Sequence, residues 1–338
     1  MINKLLFLDT SETYPYRNLA VEEYLTLNVE DDTCILYLWQ NRHTVVVGRN
    51  QNLRKECNVE EAEKDGVFLV RRLSGGGAVF HDMGNLNFTF IVRKADYDVA
   101  KQTQVILNAL ESLGIKAERS GRNDVTVEGA KISGNAFYRK HGNCYHHGTL
   151  LIDTDKNKIG KYLNVSKEKL ALKGVDSVRA RVGNLIDYKT DISVSEVKNA
   201  LRHAFSDVYG LPVEDMTADE LRQDDIEAYA ERFMSKDWIY GSNRFYDHTE
   251  GRRFEWGDIE FYFNVRNGII DDLHIYSDAM EQDYIMRLRN GLEGCEYSQD
   301  RIAGVIDSMM ASEDDVTELP IERIGSDIKA MTGSWDFQ

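Results

Sequence analysis

The sequence has only three prolines in 338 residues and no Ser/Gly-rich tract. That excludes a long disordered linker between its parts. Its four cysteines, Cys34, Cys57, Cys144 and Cys295, are scattered, with no Cys-x-x-Cys pair. A zinc or dithiol redox motif is therefore absent. A disulfide framework does not suit a chain of this size, and reduced cytosolic thiols are expected. No run approaches the ~20 apolar residues of a membrane span. The apolar stretch near Met1 is too short for a signal peptide, so a soluble cytoplasmic protein is expected. Positive charge is scarce: 41 Lys and Arg face 57 Asp and Glu, a net −16. General binding to nucleic acid or to an anionic membrane needs the opposite balance. An anionic substrate would have to be drawn in by local basic residues.

What is present reads as an ordinary globular chain, long enough for two domains. Apolar residues at helical spacing predict an amphipathic, capped helix over 18–27, with Thr10-Ser11-Glu12 ahead of it. A clear helix is predicted over 98–113, ended by Gly114, and another over 193–209, closed by Gly210. Further helices are expected at 159–163, 167–172 and 219–234. Strand patterns cover 34–39, 44–48, 67–70, 86–92, 116–120, 124–128, 131–140 and 144–153. The polar runs 241–244 and 247–251 read as a boundary. Beyond them three strands, 253–256, 259–266 and 269–276, form a meander with an Asn267-Gly268 turn. Helices over 281–292, 300–310 and 321–331 follow. The expected organisation is a domain over 1–246 and a small α+β domain over 247–338.

Two stretches carry chemistry. Arg71-Arg72-Leu73-Ser74-Gly75-Gly76-Gly77-Ala78-Val79-Phe80-His81 lies between the strand patterns 67–70 and 86–92, so the segment reads as strand, glycine loop, strand. Three glycines remove every Cβ, so the backbone can approach an anion and offer its amides. Two arginines add fixed charge. No Gly-Lys-Ser/Thr follows, which excludes a P-loop, and no helical pattern follows, which excludes a dinucleotide fold. A hairpin needing only tight turns would carry the same glycines; the arginine pair and the second stretch separate the two readings. That stretch is Gly121-Arg122-Asn123-Asp124 with Lys131-Ile132-Ser133-Gly134-Asn135-Ala136. Strict strand alternation would put Lys131, Ser133 and Asn135 on one face. Lys131 is either a solvated lysine or a point charge aimed into a pocket shared with the glycine loop. In His146-His147 the rings must face opposite sides of a strand, which disfavours a shared zinc. One is expected on a pocket wall and the other in a structural role.

These motifs, in order, together with His146-His147-Gly148-Thr149-Leu150-Leu151 and the run from Lys169 to Leu185, resemble the lipoate–protein ligases. Leu73 departs from members with a third arginine. The resemblance implies an α+β fold: a mixed β-sheet catalytic domain with flanking helices, shared with biotin ligases and octanoyltransferases, plus a small α+β C-terminal accessory domain. It implies that lipoate and ATP give lipoyl-AMP and pyrophosphate. The acyl group then passes to a lysine of a lipoyl carrier domain, as in 2-oxo-acid dehydrogenases or the glycine-cleavage H protein. It assigns ATP to Arg72, Lys131 and the backbone of Gly77, Ala78, Val79 and Phe80. It assigns lipoate to Lys131, Arg71, Gly76, His81 and His147, with core packing the alternative for the two histidines. Lys131 is the implied catalytic group. Mg²⁺ should accompany the phosphates through one or two carboxylates, with Asp124 the candidate. Competing readings are an ATP-independent octanoyl or lipoyl transferase using a Cys144 thioester, and a non-catalytic ligand-binding homologue. Biotin as the acid fits the motifs less well.

Overall fold

The computed structural model describes residues 1–121, 123–164, 182–241, 244–310 and 321–337. The helix expected at 167–172, Arg122, and most of the run 169–185 lie outside them. The chain divides into two units. The first comprises Met1–Val47, Leu53–Arg72 and Ala78–Ile239; the second comprises Gly48–Asn52, Leu73–Gly77 and Tyr240–Gln338.

The first unit is built on a mixed eight-stranded sheet. Its strands are β1 (Lys4–Asp9), β2 (Thr33–Trp39), β6 (Asn85–Arg93), β7 (Glu118–Ser120), β8 (Asp124–Val127), β9 (Ala130–Lys140), β10 (Asn143–Leu151) and β11 (Val213–Asp215), in the order β11-β1-β2-β6-β10-β9-β8-β7. β1 runs parallel to β2 and β11, and the pairs from β2 to β7 are antiparallel. A smaller sheet sets β3 (Thr44–Val47) between β4 (Phe68–Arg71) and β5 (Val79–His81). β5 was not expected: three residues are too few to show a period.

Alternation in β6 decides the layering. Leu86, Phe88, Phe90 and Val92 point into the core, with Leu36, Leu38 and Leu150 beside them. They pack against Val105, Ile106, Ala109 and Leu110 of the helix Val99–Ser112, and Val197, Leu201 and Phe205 of the helix Val194–Tyr209. Both helices match their sequence signals. Asp98 caps the first; Ser193 and Glu196 form a capping box on the second, and Gly210 closes it at φ 69°.

The opposite face carries Asn87 and Thr89 and is met by the helix Pro15–Asn28. That helix differs from expectation. Its N-cap is Tyr14, with no side-chain cap bond and Pro15 in its first turn, and ten of its residues are buried, including Asn18, Glu22 and Glu23. Glu12 instead braces the turn ahead of the helix, its Oε1 accepting from the amides of Thr13 and Tyr14 at 2.7 and 2.8 Å. Buried on several sides, the helix has no simple apolar stripe.

The second unit contains an antiparallel meander of β12 (His248–Phe254), β13 (Gly257–Arg266) and β14 (Ile269–Ser277), turning through Asn267 and Gly268 at φ 52° and 75°. Helices Gln282–Leu292, Gln299–Met310 and Ile321–Thr332 share its core of Phe261, Phe263, Ile275, Leu288, Ile306 and Ile328. The polar run read as a boundary contributes residues 248–251 to β12. An edge strand is paired on one side only and needs no apolar face.

Candidate active site

Lys131 and Asp124 come together through a break in alternation. Asp124 pairs with Gly134 and Val125 with Ser133, but Thr126 pairs with Lys131. One step along β8 thus matches two along β9, a β-bulge. Ser133 turns to the side of the core residue Val125, and Lys131 to the opposite side, with Asp124 and Gly134. This corrects the expectation that Lys131, Ser133 and Asn135 share a face. A bulge of one residue inverts every later side chain. Lys131 Nζ lies 2.7 Å from Asp124 Oδ1, both side chains about a third exposed at 38% and 35%. A Cβ on Gly134 would stand 2.9 Å from that nitrogen. Gly134 therefore leaves room for the ammonium. The Lys131 carbonyl accepts from the Gly183 amide at 2.9 Å.

The same face continues along β10 and β6, where His147 pairs with Ala136 on one side and Thr89 on the other. Glu22, from the first helix, is only 1% exposed. Its Oε1 accepts from Thr89 Oγ1 at 2.7 Å and lies 2.8 Å from His147 Nδ1. Trp39 Nε1 donates to Thr89 Oγ1 at 3.1 Å. A carboxyl group this deeply buried needs such polar partners. His146 faces the core side, between Gln102 and Asn135, and burial pushes its pKa down to about 3.

His81 and Arg72 are both buried. Desolvation, helped by Arg72 and His147, pushes His81 down to about 3. Burial lowers Arg72 to about 10, so it stays charged at neutral pH. Arg72 Nη1 reaches the Val46 carbonyl at 3.4 Å. Arg71 is engaged elsewhere: Nε donates to Trp238 O at 2.9 Å and Nη2 to Ile239 O at 2.8 Å, while Trp238 Nε1 donates to Arg71 O at 2.8 Å.

The glycine loop belongs to the second unit, and its glycines have different reasons. A Cβ on Gly75 would collide with the carbonyl oxygens of Ala279 and Met280. Gly76, at φ 85°, donates its amide to Ala279 O at 3.2 Å. Arg49 N donates to Ser74 O at 2.9 Å, and Ser277 N to Asn50 O at 2.9 Å, so residues 48–52 and 73–77 pack with the later chain. At Gly77 a Cβ would meet nothing within 4 Å. Close backbone packing therefore accounts for Gly75, and open space is found at Gly77. Val79 and Phe80 lie in β5, paired with Val46 and Val45.

Cys144 is fully buried on the core side of the sheet, and burial pushes its thiol up to about 11. It is an inert thiol, not an accessible nucleophile. Among the described residues, no group of three or more His, Cys, Asp or Glu could hold a metal, and no helix is long and apolar enough to cross a membrane.

Sequence reasoning passed over Glu22 and Thr89, and took Asn41 for ordinary turn chemistry at a strand end. Thr89 had a usable signal: Asn85, Asn87 and Thr89 alternate with Leu86, Phe88 and Phe90, which marks a polar face inside a buried strand. Glu22, one of two adjacent glutamates in a helical run, had none.

Fold and site define an α+β protein that gathers fixed cations and buried polar donors on one face of a mixed sheet, equipment for a small anionic ligand. Residues 14–206 match the lipoyl protein ligase A/B catalytic domain family, and residues 243–325 the bacterial lipoate protein ligase C-terminus. The chain belongs to the lipoate–protein ligase family. It is 40% identical over 330 residues to lipoate-protein ligase A of Psychrobacter cryohalolentis, covering 93% of this chain and 97% of that one. P. falciparum LipL1, solved in complex with lipoate, superposes with a TM-score of 0.83 at 29% identity, over 96% of this chain and 99% of that one. A bi-partite lipoate protein ligase from Thermoplasma acidophilum, studied with its E2 lipoyl domain, gives 0.62 at 29% identity, over 73% and 100%. A lipoate-protein ligase A bound with ATP gives 0.60 at 27%, over 71% and 99%. The resemblance in the sequence and the α+β fold class are both met.

Proposed function

We propose that the protein activates lipoate with ATP and transfers the lipoyl group to a lysine of a lipoyl carrier domain. A carboxylate oxygen of lipoate attacks the α-phosphorus of ATP. The bond to the bridging oxygen breaks, and pyrophosphate leaves. The acceptor amine then attacks the carbonyl of the mixed anhydride, loses its proton, and AMP departs. The first step brings two anions together, so fixed cations and amides must offset their repulsion.

The observation that carries this reading is Lys131: its ammonium is held over Gly134 by Asp124. Lysine is a compact charge able to approach a carboxylate oxygen and an α-phosphate oxygen together. In the second step it polarises the carbonyl under attack. Arg72 and the backbone from Gly77 to Phe80 bind the nucleotide, the open side of Gly77 suiting close approach. Lys131, Gly76, His81 and His147 bind lipoate. Arg71 is the remaining lipoate-binding residue of this reading, its guanidinium also holding the 238–239 backbone. Asp124 fits as one of the one or two carboxylates that Mg²⁺ takes beside nucleotide phosphates, where the ion would neutralise their charge. ATP use is supported by the ATP-bound relative, and the carrier domain by the relative studied with its E2 lipoyl domain. The acceptors are 2-oxo-acid dehydrogenase subunits or the glycine-cleavage H protein, and the site of action is the cytoplasm.

The test is pyrophosphate release with ATP plus lipoate, octanoate or biotin, with and without a lipoyl domain. Lipoate-dependent release, followed by mass gain on the domain, is expected. Domain acylation from an acyl-carrier donor without ATP would overturn the reading.

A further inference from the structure

A chain of buried amides fixes the state of His81. It begins at Asn18, which is fully buried. Asn18 Nδ2 lies 2.8 Å from the Gln40 carbonyl and 3.2 Å from the Glu12 carbonyl. Carbonyl oxygens only accept, so that end of the side chain must be the NH₂ group. The Asn18 orientation follows from the backbone. Its Oδ1 then accepts from Tyr37 OH at 3.1 Å, and its Nδ2 also reaches Asn41 Oδ1 at 3.0 Å. Asn41, likewise fully buried, must turn its own NH₂ toward His81, where Nδ2 stands 3.2 Å from Nδ1. His81 Nδ1 can only accept. A neutral imidazole with an accepting Nδ1 carries its proton on Nε2. His81 Nε2 is buried and has no hydrogen-bond partner among the described residues.

We infer that Asn18 and Asn41 are positioning residues that lock His81 as the Nε2–H tautomer, reserving that N–H as a donor to an oxygen of the bound acid. Two backbone carbonyls set the polarity, and the amides relay it. An unpaired buried donor costs stability unless a ligand completes it. The charged and titratable groups bearing on His81 are Arg72 and His147; Arg72 disfavours a second proton on the ring. A neutral N–H donor beside a guanidinium suits a carboxylate or acyl carbonyl oxygen. The identity of that acid rests on the ligase reading, whereas the tautomer does not.

The test uses the full chain labelled with ¹⁵N-histidine, with His81 assigned by its loss in His81→Gln. The wild-type spectrum should show Nε2 protonated and Nδ1 bare, unchanged from pH 8 to pH 5.5. Asn41→Asp offers a carboxylate in place of a donor and should move the proton to Nδ1. Asn41→Leu should leave a mixture of tautomers. Tyr37→Phe removes a donor to Asn18 without touching the carbonyls and should leave the wild-type tautomer. In pyrophosphate release, Asn41→Asp should raise the KM for lipoate roughly tenfold or more, with a smaller change in kcat. Wild-type His81 protonated on Nδ1, or an Asn41→Asp spectrum like wild type, would overturn the lock. A shifted tautomer with unchanged KM would overturn the donor role. If wild-type protein released no pyrophosphate with lipoate while the spectrum stood as expected, the ligase reading would fail and the lock would remain.

Discussion

Arg71 and Arg72 are neighbours in sequence but do different work. Arg72 is a buried cation near His81. Arg71 donates to two main-chain carbonyls and receives a bond from Trp238 in return. Arg71→Ala leaves those carbonyls unpaired and should destabilise the protein by about 3 kcal/mol. Thermal melts would check this; an unchanged Tm would show that solvent replaces the guanidinium there. The arginine pair was legible in the sequence, but the division of labour was not. Which carbonyl an arginine meets depends on Trp238 and Ile239, far along the chain.

At the scale of elements, the β8–β9 bulge decides the site. Gly134 faces the Lys131 ammonium because one extra residue in β9 turns Lys131 away from Ser133. Gly134→Ala would press on the mobile end of a lysine and not on backbone, so stability should hold. The displaced ammonium should slow adenylation roughly tenfold to a hundredfold. A normal rate with a normal Tm would mean the ammonium needs no such clearance. The strand itself was legible from its apolar period, as were the start at Ser193 and the Gly210 stop of the later helix. The bulge was not, because Ile132 and Ser133 look like ordinary alternation and only the register with Val125 and Thr126 reveals it. The first helix was half legible for a related reason: its buried Glu22 satisfies Thr89 and His147, partners that no local pattern names.

At the scale of the whole molecule, two buried histidines set the acid limit. His81 and His146 both have folded-state values near 3, against 6.5 for a free imidazole. The unfolded chain takes up these protons first, so stability is full above pH 6.5 and falls as pH drops toward 3. Each should cost about 2 kcal/mol at pH 5 relative to neutral. His146→Gln should flatten the fall in Tm between pH 7 and pH 5; an equal slope in the variant would show that other groups carry it. The second unit holds the glycine loop, through Gly76 and Ala279. Removing residues 251–338 should therefore harm adenylation more than transfer from supplied lipoyl-AMP, and equal loss in both assays would count against that role. The central claim is the activating charge on the sheet face, and pyrophosphate release by Lys131→Ala tests it most directly. With ATP and lipoate, a folded variant should lose about 3 kcal/mol or more of transition-state stabilisation, a hundredfold or greater fall in rate. Release at the wild-type rate would contradict the account.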